Sequence, residues 1–583
     1  MSLTTLLARG RAALLSSGRA LLDLSSEEAR ERRLLVDTVL LGLVGALAAQ
    51  LFNALLRSAS SIFLGGIAGY HPPGLPNEGA SPNEIIGPYG LWLVPLSMML
   101  GGLLVGILTE WLAPEAEGHG TDAAIKAFHR TDGVLRPRVA PIKMIASALT
   151  IGSGGVAGRE GPMALITGTI GSWYATRTGR EDRERRTLLL VGMACGLAAI
   201  FRSPIGAALL SVEVLYADME FEPDALLYTT LGAITAYAVN GLFVGWDPLF
   251  RVSSLAGQLP RAIDYAWYIV LGLAAGIVAT VLPVLFYRTR DLFRRLPVRP
   301  FLRPAIGGLV AGLIALAVPK VIAGGYGWIQ QAIDGRLALS TLAILIVAKM
   351  AAMSATVGSG GSGGVFAPTL FTGSMLGGAI AMLFHQPAAP FVVVGMAAVF
   401  AGAAHVPIAT MMMVTEMTGG YQLLVPATLA VVISYLVQTR LSRGLHYRSV
   451  YEAQVPNRGD SPAHHTKHLE IALQIMQQKG FQDLANQEER RLLSLLRSGI
   501  PVNLPGGRGL FVATLRETSE LARRPLQEGI VLLNHDAATI IAVIRGEHMM
   551  APRPDLVLEP GDRAILVVTA NAMDNVRVHF EPW

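Results

Sequence analysis

The chain has 583 residues, of which 52% are hydrophobic and 15% are charged, and its mean hydropathy is +0.47. This composition is too apolar for a soluble enzyme of this length and predicts an integral membrane protein. The net charge of +5 is small, and the basic residues lie at the ends of apolar segments, which excludes a nucleic-acid-binding stripe. The lone Cys195 excludes an intrachain disulfide and is expected to be a small core residue.

The first apolar segment fixes the expected orientation of the chain. Residues 1–35 contain six arginines and no lysine and lack the cleavage pattern of a signal peptide, so we expect a cytoplasmic amphipathic segment. Residues 38–56 are uncharged and long enough to span a bilayer. Residues 72–84 carry two acids and no basic residue. This asymmetry predicts a cytoplasmic N-terminus and an outer loop.

Other apolar stretches are of two kinds. Four are long enough to cross a bilayer, at residues 85–109, 225–246, 265–287 and 417–439. Residues 187–201 and 203–212 are shorter and are separated by Arg202 and Pro204, a pattern typical of half-helices that are buried or line a cavity. Between Lys349 and Glu416 there is no charged residue at all, so this region is predicted to fold back within the membrane.

A glycine-rich motif occurs twice. Residues 152–162 read GSGGVAGREGP, and residues 358–368 read GSGGSGGVFAP, with ten residues from the first glycine to the proline in each. Glycines let backbone N–H groups converge, and Pro162 suits the first position of a helix. Each motif therefore predicts a helix N-terminus that offers donors to an anion.

The repetition continues downstream of both motifs. Gly192, Pro204 and Glu213 are spaced by twelve and nine residues, and so are Gly395, Pro407 and Glu416. These spacings predict two structural repeats. Apolar segments that glycine and proline interrupt in both halves indicate a site near the midplane of the bilayer.

The composition changes after Tyr451. Residues 456–463 read as a linker, and residues 464–583 as a small soluble α/β domain. Within it, residues 468–479 and 486–496 have helical spacing. Residues 529–533, 539–544 and 564–568 are predicted strands, with a turn at 559–562.

The two glycine motifs and the ending Glu416-Met417-Thr418 resemble the CLC family of chloride channels and chloride/proton exchangers. The resemblance covers residues 36–455. It implies an all-α membrane domain of two inverted repeats, with re-entrant half-helices around a midplane anion site. It also implies a homodimer with one pore in each subunit.

Glu160 occupies the position of the family's gating glutamate, in Gly158-Arg159-Glu160-Gly161-Pro162. A carboxylate beside an anion site competes with chloride when it is ionised and withdraws when it is protonated. The alternative is a carboxylate that caps a helix on a surface turn.

The resemblance also implies three groups of anion ligands. They are Gly158, Arg159 and Gly161 in the first motif; Gly364, Val365, Phe366 and Ala367 in the second; and Gly118, His119 and Gly120 in a third loop. The Phe366 ring could alternatively serve packing alone. His119 stands where the family's Gly-Ser-Gly-Ile-Pro loop has serine; it either donates a ring N–H to the anion or points away as a structural residue.

The family's inner tyrosine matches Tyr451, with Tyr447 as the reserve candidate. Its phenol would donate to the ion from the cytoplasmic side. The alternative is a tyrosine that anchors the chain at the membrane interface.

Val214 is the most informative departure from the family. Exchangers commonly carry two adjacent glutamates here, the second of which relays protons, whereas this chain has Glu213-Val214. Because valine cannot carry a proton, Val214 marks a lost relay position and favours a passive channel. Glu213, Glu416, His405 and Arg202 are expected to be structural groups at helix ends.

The C-terminal domain resembles the C-terminal regulatory domain of potassium-channel RCK proteins. The resemblance rests on a strand at residues 540–544 followed by Arg545, then on residues 552–555 and 558–563. Regulation by a small ligand and stabilisation of a dimer are both open, because no dinucleotide fingerprint is present.

These features predict a homodimeric CLC-type chloride channel of a bacterial inner membrane, with both termini cytoplasmic. Glu160 would gate a pore lined by helix N-termini, with chloride and the lipid bilayer as partners, and without a cofactor, metal or nucleic acid. The first alternative is a chloride/proton exchanger of the same fold. A membrane-embedded enzyme is disfavoured, because neither a metal-ligand spacing nor a nucleophile motif accompanies the repeats.

Overall fold

The structure is a computed structural model. It describes residues 27–78, 81–88, 90–252, 263–458, 461, 463, 502–504, 508–528, 538–545, 548–550, 552–569 and 573–582. The chain divides into two compact units, Met1–Gln454 and Val455–Trp583. Each unit has its own architecture and is described separately.

The first unit is built from α-helices. Numbered in chain order, they are α1 (Glu27–Ser60), α2 (Val94–Leu112), α3 (Thr121–Arg130), α4 (Val139–Gly152), α5 (Glu160–Arg177), α6 (Asp182–Phe201), α7 (Pro204–Glu213), α8 (Pro223–Val244), α9 (Asp264–Arg295), α10 (Arg303–Ala317), α11 (Tyr326–Ile333), α12 (Leu339–Gly358), α13 (Phe366–Leu383), α14 (Ala388–Ala404), α15 (Pro407–Thr418) and α16 (Leu424–Leu441). A π-helical stretch, Ser61–Ala68, extends α1, and two short strands, β1 (Tyr70–His71) and β2 (Ile85–Ile86), pair antiparallel.

The predicted membrane class is confirmed by the helices of this unit. Among the described residues, eight helical segments are long and apolar enough to cross a membrane. Others are shorter apolar helices, α4, α7 and α14. Of the two predicted short segments, residues 203–212 correspond to α7, whereas residues 187–201 form the larger part of the 20-residue helix α6. The protein is thus an integral membrane protein with a mostly helical membrane unit.

Two predicted spans begin in the wrong place. Residues 85–93 are not helical, because Gly87 and Pro88 follow β2 and the Gly87 N–H donates to the Gly69 carbonyl. The helix predicted at 417–439 begins only at Leu424, because Gly419 ends α15 in the left-handed conformation. The segment predicted at residues 1–35 is described from Glu27 onward, where it is already part of α1.

The predicted half-helices form at the same relative position in both repeats. Arg202 ends α6 and His405 ends α14, each in the left-handed conformation, with φ of 55° and 59°. Two residues later, a proline at the first helical position starts α7 or α15. A tight turn thereby reverses the chain before each short helix.

The two half-helices cap each other. The Glu213 carboxyl group at the end of α7 accepts hydrogen bonds from Ile408 N (3.0 Å) and Ala409 N (2.6 Å) in the first turn of α15. The Glu416 carboxyl group accepts from Ile205 N (3.2 Å), Gly206 N (2.9 Å) and Ser203 Oγ (2.5 Å) in α7. Both glutamates lie at helix ends, where the sequence predicts them.

The second unit contains one antiparallel sheet and a short helix. Its described elements are β3 (Val502–Leu504), β4 (Arg508–Leu515), β5 (Ala538–Arg545), β6 (His548–Met550), β7 (Arg563–Thr569), α17 (Met573–His579) and β8 (Phe580–Pro582). The strand order is β3-β4-β7-β5-β6, and β8 pairs with β4. A buried cluster that includes Leu515, Val543, Leu566 and Phe580 forms its core.

The sequence predicts β5, β7 and the turn before β7, in which Asp562 N donates to Glu559 O at 3.0 Å. Arg545 holds this turn through Asp562 (2.7 Å) and Glu559 (2.7 Å). The predicted helices 468–479 and 486–496 and the predicted strand 529–533 lie outside the described residues.

Candidate anion site

The two glycine motifs are hydrogen-bonded to each other. Gly158 and Gly364 form an antiparallel bridge in which each N–H donates to the other's carbonyl at 2.7 Å. The third loop joins them, because Gly363 N donates to Gly118 O at 3.1 Å. Segments from three distant parts of the sequence thus meet at one point.

Two helices begin at this point. Helix α5 starts at Glu160 and α13 at Phe366, so their first turns and positive dipole ends lie beside the Gly158–Gly364 bridge. The sequence predicts Pro162 at the first helical position, but the structure has it as the third residue of α5. Proline is tolerated at both positions, because the N–H groups of the first helical turn have no intrahelical partner.

Glu160 is buried at the start of α5. Its residue is 1% exposed, and within the described residues neither carboxyl oxygen has a hydrogen-bond partner. A Cβ added to Gly158 would lie 2.0 Å from Glu160 Oε2. The glycine therefore makes room for the carboxyl group between the two motifs.

A small cavity adjoins this carboxyl group. Its wall includes Thr121, Glu160, Gly161, Val214, Phe366 and Tyr451, with apolar side chains between them. The cavity thus brings together residues from both glycine motifs, the third loop, α7 and the segment that follows α16. It is the place where the geometry supports an anion.

Several predicted ligands lie at the cavity. Gly161 and Phe366 line it, and the Phe366 ring also packs against Phe201 and Phe400, with ring centroids 4.5 and 4.2 Å apart. The remaining predicted positions lie in the adjoining loops or, for Ala367, in the first turn of α13, and all but the half-buried Gly118 are buried. They are Gly118, Gly120, Gly158, Gly364, Val365 and Ala367.

The side chains of Arg159 and His119 do not line the cavity. Arg159 binds Glu78 at 2.5 Å and lies over the Tyr326 ring, 5.0 Å from its centroid, in a separate pocket. His119 lies 3.0 Å from Asp122 through its Nε2 and packs against Tyr451, with ring centroids 5.5 Å apart. The His119 ring is turned towards Asp122, and its contact with an anion stays a prediction.

Tyr451 is the tyrosine at the cavity, and it is 5% exposed. Tyr447 instead stacks on Tyr287, with ring centroids 4.4 Å apart, and donates to Asp291 Oδ2 at 2.9 Å. Val214 also faces the cavity and is 1% exposed. A hydrocarbon side chain therefore fills the position at which the resemblance implies a proton relay.

Sequence reasoning misses three residues near this site. Thr121 lines the cavity, so a hydroxyl-bearing residue is present two positions after His119. Lys143 in α4 and Lys349 in α12 are fully buried. Lys143 Nζ donates to Ala116 O (3.0 Å) and Gly118 O (2.6 Å), and Lys349 Nζ donates to Val321 O and Ala323 O, both at 2.8 Å.

Lys143 binds a carbonyl of the third loop, whereas Lys349 binds carbonyls at residues 321 and 323. A carbonyl that accepts from an ammonium group cannot at the same time turn its oxygen towards an anion, so the Lys143 contact keeps Gly118 O engaged elsewhere. The signal is present in the sequence, because each lysine precedes the first glycine of its motif, Gly152 or Gly358, by nine residues. It is a third spacing that the two repeats share.

The sequence profile of the family described as voltage gated chloride channel matches residues 101–439. This is more than half of the chain. The chain belongs to this family. The predicted resemblance to the CLC proteins is therefore confirmed.

Named relatives and solved structures agree with this membership. The H(+)/Cl(-) exchange transporter ClcA of Salmonella arizonae is 30% identical over 378 residues, 62% of this chain and 78% of that protein. The ClcA of Klebsiella pneumoniae is 31% identical over 381 residues, with the same shares covered.

Two solved structures share the fold. A slow cyanobacterial Cl⁻/H⁺ antiporter aligns with a TM-score of 0.62 and 23% identity over 72% of this chain and 96% of its own. A CLC-type fluoride/proton antiporter aligns with a TM-score of 0.62 and 21% identity, covering 74% of this chain and 99% of its own.

The second unit has a match of its own. The profile of the TrkA-C domain matches residues 510–580, which contain the described strands β4 to β7 and helix α17. The predicted resemblance to the RCK C-terminal domain is confirmed.

Proposed function

We propose that this CLC protein exchanges chloride for protons across the membrane and that Glu160 interacts with both ions. The observation that carries the proposal is the Glu160 carboxyl group, buried between two helix N-termini, at the cavity, and without a hydrogen-bond partner among the described residues. An unpaired buried carboxylate costs far more free energy than the protonated group in the same place. The site therefore couples protonation of Glu160 to its occupancy by an anion.

The named relatives support exchange over passive conduction. ClcA of Salmonella arizonae carries the name of an H(+)/Cl(-) exchange transporter and shares 30% identity with this chain. The predicted channel therefore becomes the second candidate. Val214 favours that candidate, because its buried hydrocarbon side chain at the cavity wall cannot accept a proton.

In the proposed mechanism, the anion ligands are backbone N–H groups at the starts of α5 and α13, together with the hydroxyl groups of Thr121 and Tyr451. Among the described residues, no lysine or arginine lines the cavity, so chloride would be bound without being held too tightly to leave. When Glu160 is ionised it occupies the anion's place. When it is protonated it leaves that place to chloride.

Assembly and regulation complete the proposal. We infer a homodimer in a bacterial inner membrane with both termini in the cytoplasm and a membrane domain at residues 36–455. Large apolar side chains on α8 and α16 favour a protein partner or lipid there, since Leu242 is 72% and Val425 is 64% exposed. The domain at residues 464–583, joined by the linker 456–463, would respond to a small ligand or stabilise the dimer.

The first experiment measures chloride and protons together. The purified protein is reconstituted into chloride-loaded liposomes, the membrane potential is clamped, and chloride efflux and internal pH are recorded. We expect proton uptake in a fixed ratio to chloride efflux. In Glu160→Gln the proton flux should fall by about a hundredfold or more, because the amide cannot exchange a proton.

Glu110→Gln is the matched control, because Glu110 is an exposed residue near the end of α2. It should retain both fluxes. Chloride efflux without proton uptake in the wild type would instead establish the passive channel.

A further inference from the structure

In the proposed exchange mechanism, no residue has yet been assigned to carry the proton away from Glu160. A proton on Glu160 has to reach the side of the membrane on which α16 ends and Tyr451 lies, here called the exit side. Val214 lies on the cavity wall and is 1% exposed. Because its side chain is hydrocarbon, the proton needs another acceptor.

His119 and Asp122 form a titratable pair beside the cavity. His119 Nε2 lies 3.0 Å from Asp122 Oδ2; the His119 side chain is 7% exposed and that of Asp122 is 26% exposed. Asp122 Oδ1 accepts from Ala453 N at 3.1 Å, in the segment that follows α16. The pair thus runs from a buried ring to a partly exposed carboxylate on the exit side.

The inner end of the pair has a free acceptor. His119 Nδ1 is buried and has no hydrogen-bond partner within the described residues. With Nε2–H donating to Asp122, the neutral ring carries its lone pair on Nδ1. In this tautomer, Nδ1 of the buried ring is able to accept a proton.

Two hydroxyl-bearing residues near this base line the cavity. The His119 ring centroid is 5.5 Å from that of Tyr451, and Tyr451 lines the same cavity as Glu160. Thr121, which follows His119 by two residues, lines it as well. Hydroxyl groups both accept and donate, so they can pass a proton between groups that do not touch.

We propose that His119 and Asp122 are the proton relay between Glu160 and the exit side, in place of the acid that Val214 replaces. The proposal rests on proton exchange as the function of the protein. In the inward step the O–H bond of Glu160 breaks and an N–H bond forms at His119 Nδ1. The imidazolium then gives its Nε2 proton to Asp122, and Asp122 releases it to water. A flip of the neutral ring returns an N–H to Asp122 and a lone pair to the inner side before the next transfer.

Two ionisable groups lie closest to the ring: Lys143, whose Nζ donates to Gly118 O at 2.6 Å, and Asp122, whose Oδ2 is 3.0 Å from His119 Nε2. The other titratable or charged groups on the packed elements are Tyr287 and Arg290 of α9, Tyr451 and Glu452 after α16, and Glu160 of α5.

A purely structural role makes a different prediction. His119 also contacts Phe286, with ring centroids 6.2 Å apart, and could serve only to anchor its loop. An anchor would affect chloride and proton transport together. A relay affects proton transport alone, and an acid at another place on the cavity wall can replace it.

The experiment uses the full chain in liposomes, with the paired recording of chloride efflux and proton uptake. The variants are His119→Gln, which keeps a side-chain donor for Asp122, Asp122→Asn, and the double variant His119→Gln/Val214→Glu. His446→Gln is the control, because His446 is exposed and lies close behind α16. We expect both single variants to lose about tenfold or more of the proton flux while chloride flux stays within about threefold.

The double variant should regain proton flux to within about threefold of the wild type, because the new carboxylate faces the cavity. A loss that Val214→Glu does not restore would overturn the relay in favour of a positioning role. Unchanged proton-to-chloride ratios in both single variants would overturn the relay and leave exchange standing. Chloride flux without protons in the wild type would overturn exchange and the relay together.

Discussion

The carboxyl group of Glu160 has no side-chain hydrogen-bond partner among the described residues. The donors close to it are the backbone N–H groups of Glu160 and Ala367, and Gly158 leaves the space beside Oε2 open. Because no side chain holds it, we expect the carboxyl group to change position at low cost.

Gly158→Ala tests this interpretation. The new methyl group would lie 2.0 Å from Glu160 Oε2 and 3.0 Å from the Ala367 Cβ, so the carboxyl group has to leave its place. We expect chloride flux in liposomes to change by about tenfold or more, since a displacement of about 1 Å at a site is worth about a hundredfold.

Gly444→Ala is the control for this substitution, because nothing lies within 4 Å of its added Cβ. Equal chloride flux in Gly158→Ala and the wild type would show that the carboxyl group does not depend on this space.

The site shows which residue roles a sequence can reveal. Glu160 and Tyr451 are predicted from motif and position, and both line the cavity. The side chain of His119 turns to Asp122, while the unpredicted Thr121 supplies the hydroxyl. Which of two side chains in a turn faces a cavity depends on backbone angles, and glycine-rich loops leave these open.

Among the elements, α7 and α15 depend on each other most directly. Each starts with a proline and ends near a glutamate that accepts from the first turn of the other. The first-turn N–H groups of a helix have no intrahelical partner, so in a membrane they need such an acceptor. This explains why two short helices are stable at this depth.

Glu416→Gln should weaken this pair. The amide offers one acceptor oxygen where the carboxyl group offers two, and it brings donors towards N–H groups. We expect the free energy of unfolding to fall by about 2 kcal/mol, measured by denaturation of the detergent-solubilised protein. Glu110→Gln, at an exposed position, should leave it unchanged. The same stability for both variants would contradict the capping role.

Helix positions could be predicted where the same spacing of residues occurs in both repeats. The spacing of Pro204 and Pro407 predicts the two half-helices at the observed positions. Hydropathy alone missed the breaks at Gly87 and Gly419, because an apolar window does not register a turn that glycine forms. The boundaries depend on hydrogen bonds to distant residues, such as Gly69, which no local pattern contains.

At the scale of the whole molecule, the sheet unit has a pH dependence of its own. His579 is buried and its Nδ1 lies 3.2 Å from Ser519 Oγ. Burial lowers the pKa of His579 below its usual value. Below about pH 6.5 the unfolded chain therefore binds a proton that the folded unit resists, so stability falls as the pH drops.

Hydrogen exchange of β4 and β8 in the intact protein measures this effect. After correction for intrinsic rates, protection should decrease between about pH 7.5 and about pH 5.5. In His579→Gln the decrease should be absent. Equal pH dependence in the variant and the wild type would assign the effect to other groups.

The bridge between Gly158 and Gly364 limits how this protein can open. It is made by backbone atoms, so it does not depend on the charge of any side chain. The hydrogen bonds from the first turns of α7 and α15 to Glu416 and Glu213 join the two halves of the sequence as well. Rocking of one half against the other, common among transporters built from repeats, would tear these links apart. We therefore expect transport to proceed by movements of single side chains and single ions, while the two halves stay joined.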